Sequence, residues 1–440
     1  MAAMPSRKKS SRRRQWIRPA YADAFQCIGP ACEDTCCSGW SVFIDKDTYA
    51  KYQTIPDGPL RTIIDHRLEV TGSANAFEFA RVRLEDGGSC PFLAGDRLCS
   101  IQKAHGEEFL SRTCSQYPRA AKMVDGVEER TLLLSCPEAA RLVLLNRDLV
   151  PSANQEASRT GAWSGFRSSL ADNHATSAVE CFGLVRTFCV LVLQDDSYPL
   201  WQRVLLISMF AKRLETITSQ GQWSLVPAML HEHAGIVVGD RLKPALHSIP
   251  GQPLAQLGVL LTLIADRAGA ARNHDRFTQC MDEFASGIRF RPGAAAAELV
   301  GNYAESFAMH YLPWLATHEF LLKNYLLNYV FAHLFPFGKS GAEQGRHPFR
   351  EARLLCFQFG LLQGLLAGMA RFHESSFGEV HAVKLIQSFS KTVEHNSGLL
   401  NRIELYFAQC GLNDIDGIAA LLQSPAQGAV IATQRPVLPV

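Results

Sequence analysis

The sequence predicts a mainly α-helical protein. A cysteine-rich, loop-rich N-terminal metal-binding domain precedes an all-α C-terminal helical domain. Eight of the 13 cysteines lie between residues 27 and 136, among short β-type runs and Gly, Pro and Asp turns. From about residue 176 onward, apolar residues recur with the helical period and are interrupted by Pro and Gly breaks.

These changes in composition divide the 440 residues into five predicted segments. They are a basic disordered arm (1–20), a cysteine-rich metal-cluster domain (21–150), a linker or loop (151–175), a helical domain (176–423) and a tail (424–440). The arm holds seven Lys and Arg and no acidic residue. A short charged terminus is typically solvated, so we do not expect nucleic acid as a partner.

Within the helical domain, the apolar period predicts helices at 178–193, 200–219, 253–268, 276–288, 296–311, 316–334, 350–372, 379–395 and 398–409. In the cysteine-rich domain, Trp40–Ile44 and Phe77–Val82 have the composition of short strands.

No apolar region follows the basic start, so we expect no secretory signal. The uncharged stretch Leu354–Ala370 is shorter than the ~20 residues of a typical membrane span and contains two glutamines. We therefore expect a buried helix there, no membrane span, and a cytoplasmic protein. Thiols stay reduced in the cytoplasm, which favours metal ligation over disulfides.

The clustered cysteines are the candidate metal ligands. Their spacing, with turn-forming residues between them, lets several thiolates converge on one site. The first group reads Cys-x4-Cys-x3-Cys-Cys, and two cysteines of the second group precede a proline. The eight candidates are Cys27, Cys32, Cys36, Cys37, Cys90, Cys99, Cys114 and Cys136.

An iron–sulfur cluster of the 4Fe–4S type is the preferred interpretation, with zinc as the alternative. Zinc sites favour Cys-x2-Cys pairs, and this sequence has none. The adjacent Cys36 and Cys37 suit different atoms of a larger cluster better than one ion. Disulfides, or no metal at all, remain as further alternatives. A four-iron cluster takes four cysteines, so eight exceed the need of one site.

The same residues resemble a known family. The run Phe25–Asp45 and the block Cys90–Arg119 are similar to the flagellin lysine-N-methylase family, and to a wider group of metal-chelating proteins with a cysteine-rich CxxCxxCC signature. Three C-terminal segments extend the resemblance: Lys323–Asn328, Leu334–Phe337 and Lys391–Asn396.

The resemblance implies a transferase that moves methyl groups from S-adenosylmethionine to surface lysines of flagellin, with a four-iron cluster. The sequence has no Gly-x-Gly-x-x-Gly loop after a strand, so a Rossmann-type cofactor site is not predicted. Two other classes stay open. One is a non-catalytic iron- or zinc-binding module with a helical interaction domain, and the other is an iron–sulfur redox protein.

Methylating an amine requires a neutral nitrogen and an acceptor for its proton. The catalytic candidates near the cysteines are Glu33, Asp34, Glu107 and Tyr117, and the cofactor-binding candidates are His105 and Arg119. Carboxylates at such positions are more often solvated or capping groups. Asn324 and Asn328 share a helix face, which is typical of a satisfied core network or of a groove for the substrate protein.

Overall fold

The computed structural model describes residues 19, 21–72, 75–124, 127–149, 176–268, 276–338, 347–394 and 396–425. The predicted arm (apart from Pro19), the predicted linker 151–175 and the tail beyond residue 425 lie outside the described residues. Within them, the protein is mainly α-helical with two small antiparallel sheets. The predicted fold class is confirmed.

Short elements make up the cysteine-rich part. A three-stranded antiparallel sheet has its third strand in chain order at the centre, with Phe43 opposite Arg81 and Leu68 opposite Val82. The strands and helices up to residue 116 are β1 (Phe43–Ile44), α1 (Lys46–Tyr52), α2 (Pro59–Arg67), β2 (Leu68–Val70), β3 (Ala80–Val82), α3 (Ser100–His105) and α4 (Arg112–Gln116). Single 3₁₀ turns lie at Tyr21–Ala24, Gly29–Ala31, Ala76–Glu78 and Glu107–Phe109.

Both predicted strand runs contain a strand, β1 and β3, each shorter than the run. The hairpin β4 (Arg119–Val124) and β5 (Val127–Leu132) was not predicted. Its Glu129 is buried and accepts two hydrogen bonds, 2.6 and 2.7 Å long, from the guanidinium of Arg186 in the helical part. From the sequence alone, a charged residue in a strand is expected to be exposed, because a partner distant in the sequence is not visible.

The rest of the described chain is helical. Its helices are α5 (Pro137–Leu144), α6 (Thr176–Gln194), α7 (Leu200–Ser219), α8 (Val226–Val238), α9 (Lys243–His247), α10 (Pro253–Ala268), α11 (Arg276–Gly287), α12 (Ala296–Ser306), α13 (Leu312–Ala332), α14 (Pro348–His373), α15 (Glu379–Phe389), α16 (Ser397–Gln409) and α17 (Ile415–Leu422). Two 3₁₀ turns, Trp223–Leu225 and Glu374–Ser376, connect some of them. Each of the nine predicted segments overlaps an observed helix, whereas α5, α8, α9 and α17 were not predicted.

Two π-helical turns interrupt this pattern. The predicted break between residues 311 and 316 was wrong, because the π turn Phe307–Tyr311 joins α12 to α13 without a gap. The π turn lies directly before the first residues of α13, where Pro313 has no backbone N–H group to donate a hydrogen bond to the preceding turn. The second π turn, Ser390–Glu394, continues α15. Such turns are rare and occur frequently at functional sites.

Helix α14 runs through the middle of the helical part. Gly287 of α11 and Gly368 of α14 let these helices touch, since a β-carbon on Gly287 would lie 1.9 Å from the Gly368 carbonyl oxygen. Of the described helices, only the segment Pro348–Ser376 is long and apolar enough to cross a membrane by length and composition, and 89% of its apolar window is buried in the protein. The prediction of a buried helix here is confirmed.

The buried apolar residues form two cores. The smaller core surrounds the three-stranded sheet and includes Val42, Ile44 and Tyr52. The larger core contains the helices and also Phe25 and Cys136. The cysteine-rich part therefore contributes to both cores.

Candidate metal centre

The eight candidate cysteines are free thiols, and they fall into two sets. The first, which we call the large thiol set, comprises Cys36, Cys37, Cys90, Cys99 and Cys114. Each of Cys37, Cys90 and Cys114 interacts electrostatically with at least two other thiols of this set. Cys37, Cys90 and Cys99 also pack on the smaller core.

Backbone pairing brings the members of the large thiol set together. The amide of Cys90 donates to the carbonyl of Cys37 at 2.8 Å, and Ser38 forms a bridge with Ser89. Cys99 forms a bridge with Leu93, directly before α3. Segments more than fifty residues apart in the sequence thus become neighbours.

The remaining thiols, Cys27, Cys32 and Cys136, form the small thiol set. Cys136 interacts electrostatically with both Cys32 and Cys27, and Cys32 also interacts with Cys27. Cys136 precedes α5 and belongs to the larger core. Burial raises the pKa of Cys136 to about 12.

Tyr117 interacts with a thiol of each set. Its partners are Cys136 of the small set and Cys36 of the large set, and its hydroxyl lies 3.0 Å from the Ser135 hydroxyl. Its ring centroid is 5.5 Å from that of Trp40, whose indole N–H donates to the Cys36 carbonyl at 2.8 Å. Burial raises the pKa of Tyr117 well above its usual range, so this candidate stays protonated at neutral pH.

The thiols of the large set differ in their ionisation. A hydrogen bond from Cys37 lowers the pKa of Cys36 to about 7, and the same contact raises the pKa of Cys37. Burial raises the pKa of Cys90 to about 11 and that of Cys114 to about 12. Only thiolates bind metals well, so Cys36 ionises more readily than Cys37, Cys90 and Cys114, which need the charge of the metal.

The donors of the candidate centre are thiols. The large thiol set offers sulfur donors alone, which is the donor chemistry of iron–sulfur clusters and of four-cysteine zinc sites. Among the residues described, no three His, Cys, Asp or Glu side chains converge so as to hold one metal ion.

The candidate bases Asp34 and Glu33 lie in ion pairs with the helical part. Burial opposes the ionisation of Asp34, but the charge of Lys391 outweighs it and lowers the pKa of Asp34. The Lys391 ammonium donates to Asp34 at 2.8 Å and to the Thr35 carbonyl at 2.8 Å. For Glu33, burial is likewise outweighed by Arg141, which donates to it at 2.5 Å, so the pKa of Glu33 is lowered.

The other candidates occupy the surroundings of the thiols. Glu107 is exposed in a 3₁₀ turn, and the ring of His105 lies 4.9 Å from that of Phe109. The guanidinium of Arg119 donates to the Phe25 carbonyl at 2.8 Å and lies over the Phe25 ring. Arg119 therefore fastens the segment that leads into Cys27.

Asn324 and Asn328 lie in the core. The amide of Asn324 donates to three backbone carbonyls, among them that of Leu144 at 3.1 Å. The amide of Asn328 donates to the Leu132 carbonyl, and its oxygen accepts a hydrogen bond from Tyr21. Asn324 thus connects α13 to the end of α5, and Asn328 connects α13 to strand β5 and Tyr21 of the cysteine-rich part.

Helix α15 and its π turn also connect the two parts. Of this segment, Lys391–Asn396 was identified from the sequence by resemblance, but Gln387 was not. Gln387 donates to Asp34 at 2.9 Å and to the Ser135 carbonyl at 2.8 Å. Lys391 lies four residues later and, like Glu394, belongs to the π turn Ser390–Glu394. The available signal for Gln387 was a polar residue in an otherwise apolar helix.

Glu394 belongs to a second polar group in the same π turn. One of its carboxylate oxygens contacts Nε2 of His333, and the other accepts a hydrogen bond from Ser390 at 2.7 Å. The pair borders a partly enclosed cavity with room for about one water molecule. The cavity is lined by Leu132, Leu133, Leu134, Tyr325, Asn328, Tyr329, Ala332, His333 and Glu394.

Comparison with known proteins places these features in a family context. The chain is 37% identical over 131 residues to the flagellar biosynthetic protein FliU of Salmonella muenchen, a match covering 30% of this chain and 77% of FliU. It is also 37% identical over 131 residues to the lysine-N-methylases of Salmonella typhimurium and Salmonella choleraesuis, covering 32% of each. No solved structure matches the chain significantly. The model of the FliB lysine N-methylase C-terminal domain matches residues 186–421, which is more than half of the chain, and the chain therefore belongs to the FliB lysine N-methylase family.

Proposed function

We propose that the protein is a protein-lysine N-methyltransferase that transfers methyl groups from S-adenosylmethionine to lysines of flagellin. The observation that carries this proposal is the family match over residues 186–421. The names of the relatives, two lysine-N-methylases and a flagellar biosynthetic protein, support lysine as the acceptor and a flagellar protein as the substrate.

A 4Fe–4S cluster held by the large thiol set is part of the proposal. That set has five thiols for the four ligands that such a cluster takes. When bound, the cluster would supply a Lewis-acidic or electron-transferring centre. A reducing cytoplasm would keep the thiols available, and we include that compartment in the proposal.

The protein's own residues would hold the cluster loop in place. The Lys391 ammonium donates a hydrogen bond to the backbone carbonyl of Thr35, the residue directly before Cys36. Trp40 donates to the Cys36 carbonyl, and its ring packs near that of Tyr117. These contacts restrict the backbone that carries Cys36.

The test combines metal analysis with a methylation assay. We expect anaerobically purified and reconstituted protein to contain iron and sulfide, to show cluster absorption, and to convert flagellin lysines to methyl-lysine only when S-adenosylmethionine is present. Mass spectrometry of flagellin measures the product. Intact, iron-loaded protein that yields no methyl-lysine would refute the activity, and protein that retains zinc but no iron would refute the cluster.

Cysteine variants separate the two thiol sets. Replacing Cys90 or Cys114 by serine is expected to abolish cluster absorption. Cys410→Ser is the matched control, because Cys410 is an exposed cysteine of α16's end that belongs to neither set. Equal iron content in all three variants would exclude the large thiol set as the ligand set.

A further inference from the structure

The Glu394–His333 pair is a buried acid–base pair that the metal centre does not use. The side chains of Glu394 and His333 are only 7% and 12% exposed. The Tyr329 ring lies 4.3 Å from the His333 ring and fixes its position. A histidine whose Nε2 contacts a carboxylate is held in one orientation.

This pair lies close to the candidate metal centre. Glu394 and Lys391 lie three residues apart in the same π turn, Ser390–Glu394. Lys391 contacts Thr35, which precedes the Cys36–Cys37 pair. Any group that enters the cavity beside Glu394 therefore approaches the loop that carries the large thiol set.

The cavity has the size and lining for the head of an amine. Room for about one water molecule excludes a nucleotide but admits a terminal amino group. The carboxylate of Glu394 and the rings of Tyr325 and Tyr329 attract a cation. Leu132 and Ala332 line the same space and remove water from the amine, which favours its neutral form.

We propose that this cavity receives the amino group of the substrate lysine and that the Glu394 carboxylate, which His333 and Ser390 hold in place, accepts its proton. The proposal rests on the methyltransferase function proposed above. An N–H bond of the ammonium breaks, its electrons stay on nitrogen, and the proton moves to a carboxylate oxygen of Glu394. The free amine then forms an N–C bond to the methyl group of the sulfonium donor while the C–S bond breaks and its electrons leave with the thioether. The methylated nitrogen loses one proton for each methyl group added.

Other groups of the described chain face this pair. Tyr325 and Tyr329 of α13 interact with Glu394, and burial raises the pKa of both well above the usual range, so they stay neutral. Glu351 of α14 interacts electrostatically with Tyr329. Lys391 lies three residues before Glu394 in the same π turn. The segment Leu132–Leu134 contributes apolar side chains to the cavity.

Glu394→Gln tests the proposal because it keeps the shape of the side chain and removes the proton acceptor. We expect methyl transfer near pH 7 to fall by about 100-fold or more, while cluster absorption and S-adenosylmethionine binding stay at wild-type values. The loss should shrink about tenfold per pH unit as pH rises toward the lysine pKa of ~10.4, because solvent then supplies the neutral amine. Glu283→Gln is the matched control, since Glu283 also contacts a histidine, His373, at 3.0 Å but lies outside the cavity.

The outcomes separate this proposal from the one on which it rests. A wild-type protein without methyl transfer refutes the proposed function itself. An active wild type together with a fully active Glu394→Gln variant, or a variant whose loss does not change with pH, overturns the assignment of the proton acceptor. If Glu394→Gln fails to fold, Ala332→Val provides the test, because it narrows the cavity and removes no polar group. A lower rate of methyl transfer with intact cluster absorption supports the cavity as the site of the substrate amine. An unchanged rate of methyl transfer overturns that assignment.

Discussion

Replacing Lys391 by methionine should weaken the attachment between the cysteine loop and the helical part. The Asp34 and Lys391 side chains are only 16% and 21% exposed, so the substitution leaves a largely desolvated carboxylate with Gln387 as a remaining donor. Removing one partner of a fully buried pair costs roughly 3–5 kcal/mol. Because this pair retains some water contact, we expect a cost of about 2 kcal/mol.

For a protein of 440 residues, that cost corresponds to a decrease in melting temperature of about 2 °C. Thermal unfolding followed by circular dichroism measures it. The double variant Asp34→Asn with Lys391→Met removes both charges and should recover part of the loss, which gives a coupling energy of at least ~0.5 kcal/mol. Strictly additive effects of the two single substitutions would refute the idea that this ion pair joins the two parts.

Iron content provides a second readout of the same substitution. Lys391→Met should lower the iron retained after reconstitution, because Lys391 holds the Thr35 carbonyl directly before Cys36. Lys384→Met is the matched control. Lys384 lies on the same helix and has a similar exposure of 20%, but it pairs with Glu283. Equal iron loss in both variants would show that the effect is not local to the cysteine loop.

Three further substitutions test the packing and the electrostatics of the fold. Arg186→Met leaves the buried Glu129 without its bidentate partner and should cost roughly 3–5 kcal/mol in chemical denaturation, whereas adding Glu129→Gln should recover much of that loss. Gly368→Ala places a β-carbon 2.8 Å from the Phe284 carbonyl oxygen and should destabilise by about 1–3 kcal/mol, and an unchanged melting temperature would contradict the close contact of α11 with α14. Burial of Glu283 is outweighed by its lysine and histidine partners, so its pKa is lowered, and its contribution to stability is present above its unfolded pKa of ~4.3 and lost as pH falls through the folded value. The difference in melting temperature between wild type and Glu283→Gln should therefore be largest near neutral pH and disappear in acid.

Periodicity was sufficient to predict the helices, because most of them bury an apolar face. Helix α14 is the clearest case, since its residues from Leu354 to Ala370 are nearly all buried. The short helix α5 and the hairpin β4–β5 were missed for a physical reason. Their residues are stabilised by contacts made far away in the sequence, such as Glu129 with Arg186, and local patterns do not contain that information.

The candidate site, like the fold, was predicted from local patterns only in part. Cysteine spacing identified the eight thiols, but it did not sort them into a large and a small set. That division arises from backbone pairing between distant segments, such as Cys37 with Cys90. The predicted bases Glu33 and Asp34 face cationic side chains of the helical half, and the carboxylate beside the cavity, Glu394, lies more than 350 residues further along the chain.

These contacts explain why the helical part belongs to the site. The smaller core around the three-stranded sheet is too limited to hold a metal-binding loop rigidly by itself, since small cores give little stability. The larger core extends into the cysteine-rich part through Phe25 and Cys136, and Gln387 and Lys391 fasten the loop from outside. A substrate bound at the cavity next to Glu394 would touch the same helix that positions the thiols. Recognition of the substrate and the geometry of the metal centre would then depend on one rigid element.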